Sequence, residues 1–340
     1  MKKIILFMVY YGKLPSYFDV WLEAIKYNET IDFCIITDCF SEQKQSTFSS
    51  NIIIKNIAFA DFKKIVQSKF DFKISMENYG RISQFRPAFG YIFPDIIEGY
   101  DFWGYIECDL IPGNIRNFLT ENILSKYDKC FKLGHFQLFR NTDEMNTLFM
   151  SNTPNAINYR FAFSHNIFYF EEVIGMYNIA IAEKVKLYDE RVFVDCQYMY
   201  NSFRWSNFAY WSEPVQKCIF AFENGKLYMM QSVNKVVEKK EILYVHFQKR
   251  NMNIEIDRFS RYLIIPNKFT EYRELNSEEI QKIIYEAEAS DKDYYENKLS
   301  IEKTTKRKRN KTIDWWLFCI KRLDLKHRGS VGLSGKAGVL

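Results

Sequence analysis

Residues 4–9 read IILFMV, six apolar positions without a polar break, closed by Tyr10-Tyr11-Gly12. An unbroken apolar run of this length marks a strand covered on both faces, as in a parallel sheet. From Pro15 the spacing changes. In PSYFDVWLEAIKYN, Phe18, Leu22 and Ile25 recur at helical intervals, and Pro15 suits a first helical position, where its missing N–H costs nothing. DFCIITD (32–38) and NIIIKNI (51–57) predict two more strands, and DFKKIVQSKF (61–70) a short helix. Strands alternating with helices predict an open, mostly parallel α/β sheet.

The pattern continues with a helical stretch from Arg86 to Ile97 and a strand, DFWGYIECD, over 101–109. CFKLGHFQLFR (130–140) predicts a strand, and TDEMNTLFM (142–150) a helix capped by Thr142. In CIFAFENGKLYMM (218–230), Asn224-Gly225 separates two β-rich runs, the strongest short-range hairpin signal. EILYVHF (241–247) predicts another strand and SEEIQKIIYEAEA (277–289) a helix. No internal repeat is present.

The 340 residues are 47% hydrophobic and 26% charged, which is globular composition. Aromatics make up 18%, which suits both a packed interior and a site that stacks on sugars or bases. The seven cysteines form no C-x-x-C pair, so neither a zinc ribbon nor a disulfide framework is indicated. IILFMVYYGK is too short for a secretory signal and lacks a cleavage site, and no run reaches a membrane-spanning length, so the expected location is cytoplasmic. The net charge of +5 is unevenly placed: residues 303–328 hold ten Lys/Arg and two Asp, giving +8 and leaving −3 elsewhere. That distribution argues against a nucleic-acid-binding face across the body.

The chemistry concentrates at Glu107-Cys108-Asp109. Strand side chains alternate, so the two carboxylates point to one side and Cys108 to the other. At the carboxyl end of a strand in an open α/β sheet, that side faces the ligand crevice. Two carboxylates so close stay ionised together only beside a cation or in water. A hard divalent ion, Mg²⁺ or Mn²⁺, suits such a pair and would neutralise a leaving diphosphate. The turn Tyr10-Tyr11-Gly12, ending the first strand, would cradle a nucleotide with a ring against its base, and Asp38, ending the second, would meet the base or ribose. His246 ends a strand and is followed by Lys249-Arg250; an imidazole suits Mn²⁺, and the two cations suit a diphosphate. Asp195 falls where an acceptor-side general base would come from, with Asp189 and Glu190 as competitors. His135 and His165 have no partner at ligand spacing and read as structural.

YYGKLPSYFDVWLEAIKYN, FRPAFGYIF, GYDFWGYIECDLIPGNIRNFL, KLGHFQLFRNT and LYVHFQKR occur in that order between Lys3 and Arg250. Together they resemble a bacterial family of glycosyltransferase-like proteins from surface-polysaccharide gene clusters, similar to the GT-A superfamily. The resemblance implies a GT-A-like domain over 1–300, with a nucleotide-sugar half to about 115 and an irregular acceptor half from about 116. It implies a UDP-sugar donor and a glycan or lipid-linked glycan acceptor. It sets Glu-Cys-Asp where those enzymes carry Asp-x-Asp. Asp109 would then ligate the metal, and Glu107, a departure from Asp, would meet the ribose or the metal through water. His246, Lys249 and Arg250 would complete the metal-diphosphate site, and Arg86 would touch the nucleotide. Retention or inversion stays open. A silent glycan- or nucleotide-binding protein on the same fold is the rival. A nucleotidyltransferase would need a Gly-rich basic loop that YYGKLP does not supply. The tail, 301–340, joins a cationic run to IDWWLFCI, the composition of a helix lying on the anionic inner face of the membrane.

Overall fold

In the computed structural model, residues 1–40, 48–167, 169–206, 216–248, 250–309 and 312–330 are described. Their sixteen strands, numbered in chain order, form three sheets. The first runs β3 (Ile52–Asn56), β2 (Ile31–Thr37), β1 (Ile4–Val9), β4 (Phe102–Ile106), β7 (Phe136–Arg140), β6 (Lys129–Cys130) and β8 (Leu187–Tyr188). β3, β2, β1 and β4 are mutually parallel, and so are β6 and β8; β7 is antiparallel to both its neighbours. This is the open, mostly parallel α/β sheet that the apolar runs predict. Ile4, Leu6 and Met8 enter one core cluster, while Ile5 and Phe7 enter the other. The unbroken run in β1 therefore has the cause assigned to it, apolar cover on both faces. Gly104 lets β4 and β7 approach closely, since a Cβ there would lie 2.3 Å from the Gln137 carbonyl oxygen.

The second sheet is small and decides the site. It comprises β5 (Leu110–Pro112), β13 (Tyr244–His246) and β9 (Val194–Asp195). The third contains β12 (Val236–Ile242), β11 (Lys226–Val233), β10 (Ile219–Glu223), β15 (Arg261–Ile265), β16 (Lys268–Glu271) and β14 (Asn253–Glu255). The half expected to be irregular thus carries a six-stranded sheet, of which the sequence reveals the first hairpin. Asn224 and Gly225 take φ of +48° and +86°, as the tight turn between β10 and β11 requires.

Several boundaries differ from expectation. The first helix is Phe18–Lys26. Pro15 lies in the preceding turn, where its carbonyl accepts the Phe18 N–H at 3.1 Å. The stretch 86–97 is not one helix but three short turns, Arg86–Ala88, Phe89–Ile92 and Pro94–Ile97, interrupted where Pro94 has no N–H to give. Residues 130–140 hold two strands, parted at a turn where Phe131 takes φ of +66°. Residues 241–247 split at Leu243, with β12 in one sheet and β13 in another. The helix Ser277–Ala289 forms as predicted, with a capping box between Asn276 and Glu279. Thr142 caps Asp143–Thr147 by accepting the Met145 N–H.

Candidate functional site

A cavity of about 380 Å³ opens at the carboxyl ends of β1 and β4. β1 has β2 on one side and β4 on the other, so the winding of the sheet reverses there, the place where open α/β sheets bind ligands. Tyr10, Lys13 and Tyr17 line one part, Arg86, Glu107 and Asp109 the floor, and Gln248 and Arg250 the far side.

Glu107 and Asp109 lie just beyond the end of β4, which stops at Ile106. The short β5 follows at once and pairs antiparallel with β13, placing His246 opposite Leu110. On its other side β13 pairs in parallel with β9, placing His246 opposite Asp195. The register therefore brings together residues that are far apart in the chain. Backbone bonds lock the arrangement: Phe247 N–H donates to the Asp109 carbonyl, and Glu107 N–H to that of His135, both at 2.9 Å.

His246 Nε2 lies 3.3 Å from Glu107 Oε2 and 3.3 Å from Asp109 Oδ1. Its Nδ1 is 2.8 Å from Asp195 Oδ1. Burial alone would lower the imidazole pKa, but Asp109, Asp195 and Glu107 outweigh it and hold His246 well above its ordinary value. For Glu107, burial pushes upward, but the Arg86 guanidinium and His246 keep the carboxyl well below the usual range. Arg86 Nη1 donates to Glu107 Oε1 at 2.5 Å and to the Gly134 carbonyl at 3.0 Å. Asp109 is raised by burial; His246 pulls it back and Glu107 adds to the rise.

Three donor atoms, one each from Glu107, Asp109 and His246, lie within 4.8 Å of one another. Asp109 Oδ1 and His246 Nε2 are both buried and meet as an ion pair at 3.3 Å, with no hydrogen bond of good geometry to either. Buried polar atoms left in that condition are costly unless something else satisfies them. Two carboxylates and an imidazole suit Mn²⁺ well and Mg²⁺ acceptably. The residues present thus fit a divalent cation.

The other expected residues are distributed unevenly. Tyr10 borders the cavity; burial, then nearby Cys108 and Asp109, push its hydroxyl up to about 12. Tyr11 does not border it: the ring packs edge-on against Phe59 in the core beneath the helices. Gly12 sits at the turn with φ of +91°. Asp38 is exposed and outside the cavity wall. Lys249 lies outside the described residues. Arg250 reaches the wall, but its two terminal nitrogens are taken: they donate to the carbonyls of Gln197, Tyr200, Asn201 and Ser202 and to Asn267 Oδ1, while Nε is buried without a partner. The sequence makes Arg250 a diphosphate ligand; the structure places it in the cavity wall with its guanidinium clamping the loop 197–202. Asp195 is 1% exposed, bonded to His246 and, at 2.8 Å, to Gln248 Nε2. That burial and those bonds do not place it against an acceptor hydroxyl. Of its competitors, Asp189 pairs with Lys132, and neither it nor the exposed Glu190 borders the cavity.

His135 was read as structural and proves to be part of the cluster. Its ring lies over that of His246, centroids 4.3 Å apart, and its Nδ1 faces the Tyr244 hydroxyl at 2.8 Å. Burial, then the charge on His246, push its pKa down to about 3. Glu171 and Glu172 pack against Gly134 behind Arg86. Burial and Glu171 push Glu172 up to about 8. Nothing in the spacing of these residues signals the site; only the hairpin at 131–136 and the segment behind it bring them in. His165 stacks on Phe161 at a helix end, as a structural residue would.

The fold and site thus define a mixed α/β protein with a carboxylate–imidazole cluster at the switch point of a mostly parallel sheet. The chain belongs to the family described as "Family of unknown function (DUF6625)", whose model matches residues 6–273. No curated protein matches it. Among solved structures, the chain is similar to the glycosyltransferase GlyE of Streptococcus pneumoniae TIGR4, at 11% identity and a TM-score of 0.32, over 56% of this chain and 45% of that one. It is similar to the galactosyltransferase LgtC in complex with donor and acceptor sugar analogues, at 10% identity and 0.27, over 44% of this chain and 60% of the other. It is also similar to core-mannan synthase A of Aspergillus fumigatus in its Mn/GDP form, at 9% identity and 0.25, over 39% and 42%. The chain spans less than half the length of GlyE that it matches against, and scores this low carry no shared function.

Proposed function

We propose that the protein is a metal-dependent glycosyltransferase that moves a sugar from a nucleotide-sugar donor, a UDP-sugar, to a glycan or lipid-linked glycan acceptor of a bacterial surface polysaccharide. One observation carries the reading: Glu107 and Asp109 line a cavity at the sheet's switch point, and the buried His246 brings a third donor atom within 4.8 Å of theirs. Glu107, Asp109 and His246 would hold Mn²⁺ or Mg²⁺. When bound, the ion supplies charge neutralisation for the leaving diphosphate. Asp195 acts behind the site, fixing the ring of His246 through Nδ1 so that Nε2 is presented to the cavity. Arg86 holds Glu107. Tyr10 and Gly12 shape the nucleotide side, and Lys249 is a candidate for the diphosphate. The enzyme works in the cytoplasm, where nucleotide sugars are made, at the inner face of the membrane.

A second reading, a nucleotide- or glycan-binding protein without turnover, has its own observation. Arg86 already neutralises Glu107, and Asp195, the expected base, is withdrawn from the cavity. One experiment separates the two. Purified protein is incubated with a panel of nucleotide sugars, with and without Mn²⁺ or Mg²⁺, and released nucleotide is measured beside the Asp109→Ala variant. The transferase reading expects metal-dependent release from one donor, lost in the variant. Metal-dependent nucleotide binding without release, with acceptor glycans supplied, favours the silent binder. No metal-dependent binding at all overturns both.

A further inference from the structure

The helix Ile313–His327 has two apolar faces, and one of them is uncovered. Phe318 and Leu325 are buried in the core beneath the first sheet, with Trp315 packed partly buried beside them. At the helix start, Asp314 Oδ2 accepts the Asn166 N–H at 2.8 Å. These contacts fix which way the helix is turned. Ile313, Trp316, Leu317, Ile320 and Leu323 are then left facing out, 79%, 64%, 37%, 63% and 62% exposed. Their spacing of three and four residues places them in one continuous stripe. Single exposed apolar side chains are ordinary on a protein surface; a contiguous stripe marks a contact surface.

The surroundings of the stripe identify the contact. By helical geometry Lys321 and Arg328 fall along one border, where they also pair with the intervening Asp324 at 3.5 and 2.8 Å, and Lys326 falls along the other. Residues 313–328 hold four cations against Asp314 and Asp324, and residues 303–311, just before the helix, add six cations in sequence, on a chain whose remainder carries −3. A groove on another protein would meet the stripe alone. A flat anionic surface meets the stripe and the cations on both borders at once. No helix among the described residues is long and apolar enough to cross a membrane, so this helix can lie in the interface but not span it.

We propose that this face of Ile313–His327 binds an anionic lipid bilayer in the plane of the surface. Trp316, Ile320 and Leu323 enter the boundary between headgroups and acyl chains, and the flanking cations meet lipid phosphates. The docked face holds the body against that surface. The inference does not rest on the reaction proposed above, since it concerns only the helix and its charge.

The test is sedimentation of the full chain with phosphatidylcholine vesicles, with and without phosphatidylglycerol, across a salt series. A variant carrying Trp316→Ser, Ile320→Ser and Leu323→Ser runs beside it, with thermal unfolding and light scattering on both proteins. Binding should require phosphatidylglycerol, weaken with salt, and fall at least tenfold in the variant. The melting temperature of the variant should not change, because the three side chains are exposed. A Phe318→Ser variant should instead lower the melting temperature, separating the docked face from the free one. Equal binding to neutral vesicles, or unchanged binding by the triple variant, overturns the proposal. So does a dimer that the triple variant dissociates in the absence of any vesicle binding, which would make the stripe an interface between two copies.

Discussion

The two walls of the cavity are built on opposite plans. The near wall comes from the parallel sheet: Tyr10 follows β1, and Glu107 and Asp109 follow β4 with their carboxylates turned to the opening. The far wall comes from the segment that follows the three-stranded sheet, where Gln248 turns its amide to the buried Asp195 behind the wall and Arg250 turns its guanidinium to the backbone. His246 is buried between the two, with Nε2 toward the near carboxylates and Nδ1 toward Asp195. The same residue types thus serve different ends. Glu107 and Asp109 line the cavity, Glu107 with one oxygen on Arg86, whereas Asp195, paired in register with His246, is sealed behind it as a support. The difference teaches that site membership depends on which polar partners a side chain has already taken, not on its chemistry alone.

Arg250 provides the largest expected effect and the sharpest way to break that contrast. Its guanidinium serves four backbone carbonyls of residues 197–202, and truncation would leave them buried and unpaired. Arg250→Ala should lower unfolding stability by about 3 kcal/mol or more in a denaturant titration. If stability holds and nucleotide affinity falls instead, Arg250 belongs to the ligand after all. Asp109→Ala should behave in the opposite manner. Removing a buried carboxylate beside Glu107 relieves repulsion, so the melting temperature should hold or rise. Mn²⁺ affinity by calorimetry should drop by well over about 100-fold, more than the loss of an outer partner costs. A variant with unchanged Mn²⁺ affinity would leave the near wall without its assigned role.

The same contrast explains what could be read in advance. The near wall is local in sequence: β1 is one apolar run, and Glu107 and Asp109 follow β4 within three residues, so periodicity and strand-end logic reach them. His246 was found through its place before two cations. The far wall depends on which strands pair, and nothing in EILYVHF shows that the chain changes sheets at Leu243. Neither glycine nor proline marks that break. Phe131, with φ of +66°, conceals a turn in the same way and with it the place of His135. Arg250 is read from the sequence as a diphosphate ligand, and in the fold its guanidinium meets backbone carbonyls. Its carbonyl acceptors lie some fifty positions earlier in the chain and leave no trace in residue type.

Asp195 should give a smaller effect than Asp109, because it acts through another side chain. Asp195→Asn keeps the size of the group but removes the charge that steadies His246 at Nδ1. The loss in Mn²⁺ affinity should fall between tenfold and 100-fold, the usual range for a residue that orients a ligand. The affinity should also rise more steeply with pH in the native protein than in a His246→Gln variant, since a cation at Nε2 must displace a proton there. A loss as large as that of Asp109→Ala would put Asp195 in direct contact with the cation and erase the distinction between the walls.

His135 gives the smallest expected effect. It is buried and neutral, with its pKa pushed down to about 3, first by burial and then by the charge on His246. An unfolded chain would bind a proton at this histidine below about pH 6.5, while the folded protein would not. Folding stability should therefore decrease as the pH falls through that value, by about 1.4 kcal/mol for each unit below it. His246 has the opposite sign. Its folded pKa is raised, so its contribution is complete below about pH 6.5 and is lost as the pH climbs. The two histidines are distinguished by comparing the native protein with His135→Gln, both free of metal, in denaturant titrations at pH 6.5 and 5.5. The native protein should lose about 1 kcal/mol more than the variant across that interval, since the unfolded histidine is already half protonated at pH 6.5. Equal losses would mean that His135 takes up its proton in the folded state. A charged imidazole would then lie over His246, and the far wall would be open to water rather than sealed behind the site.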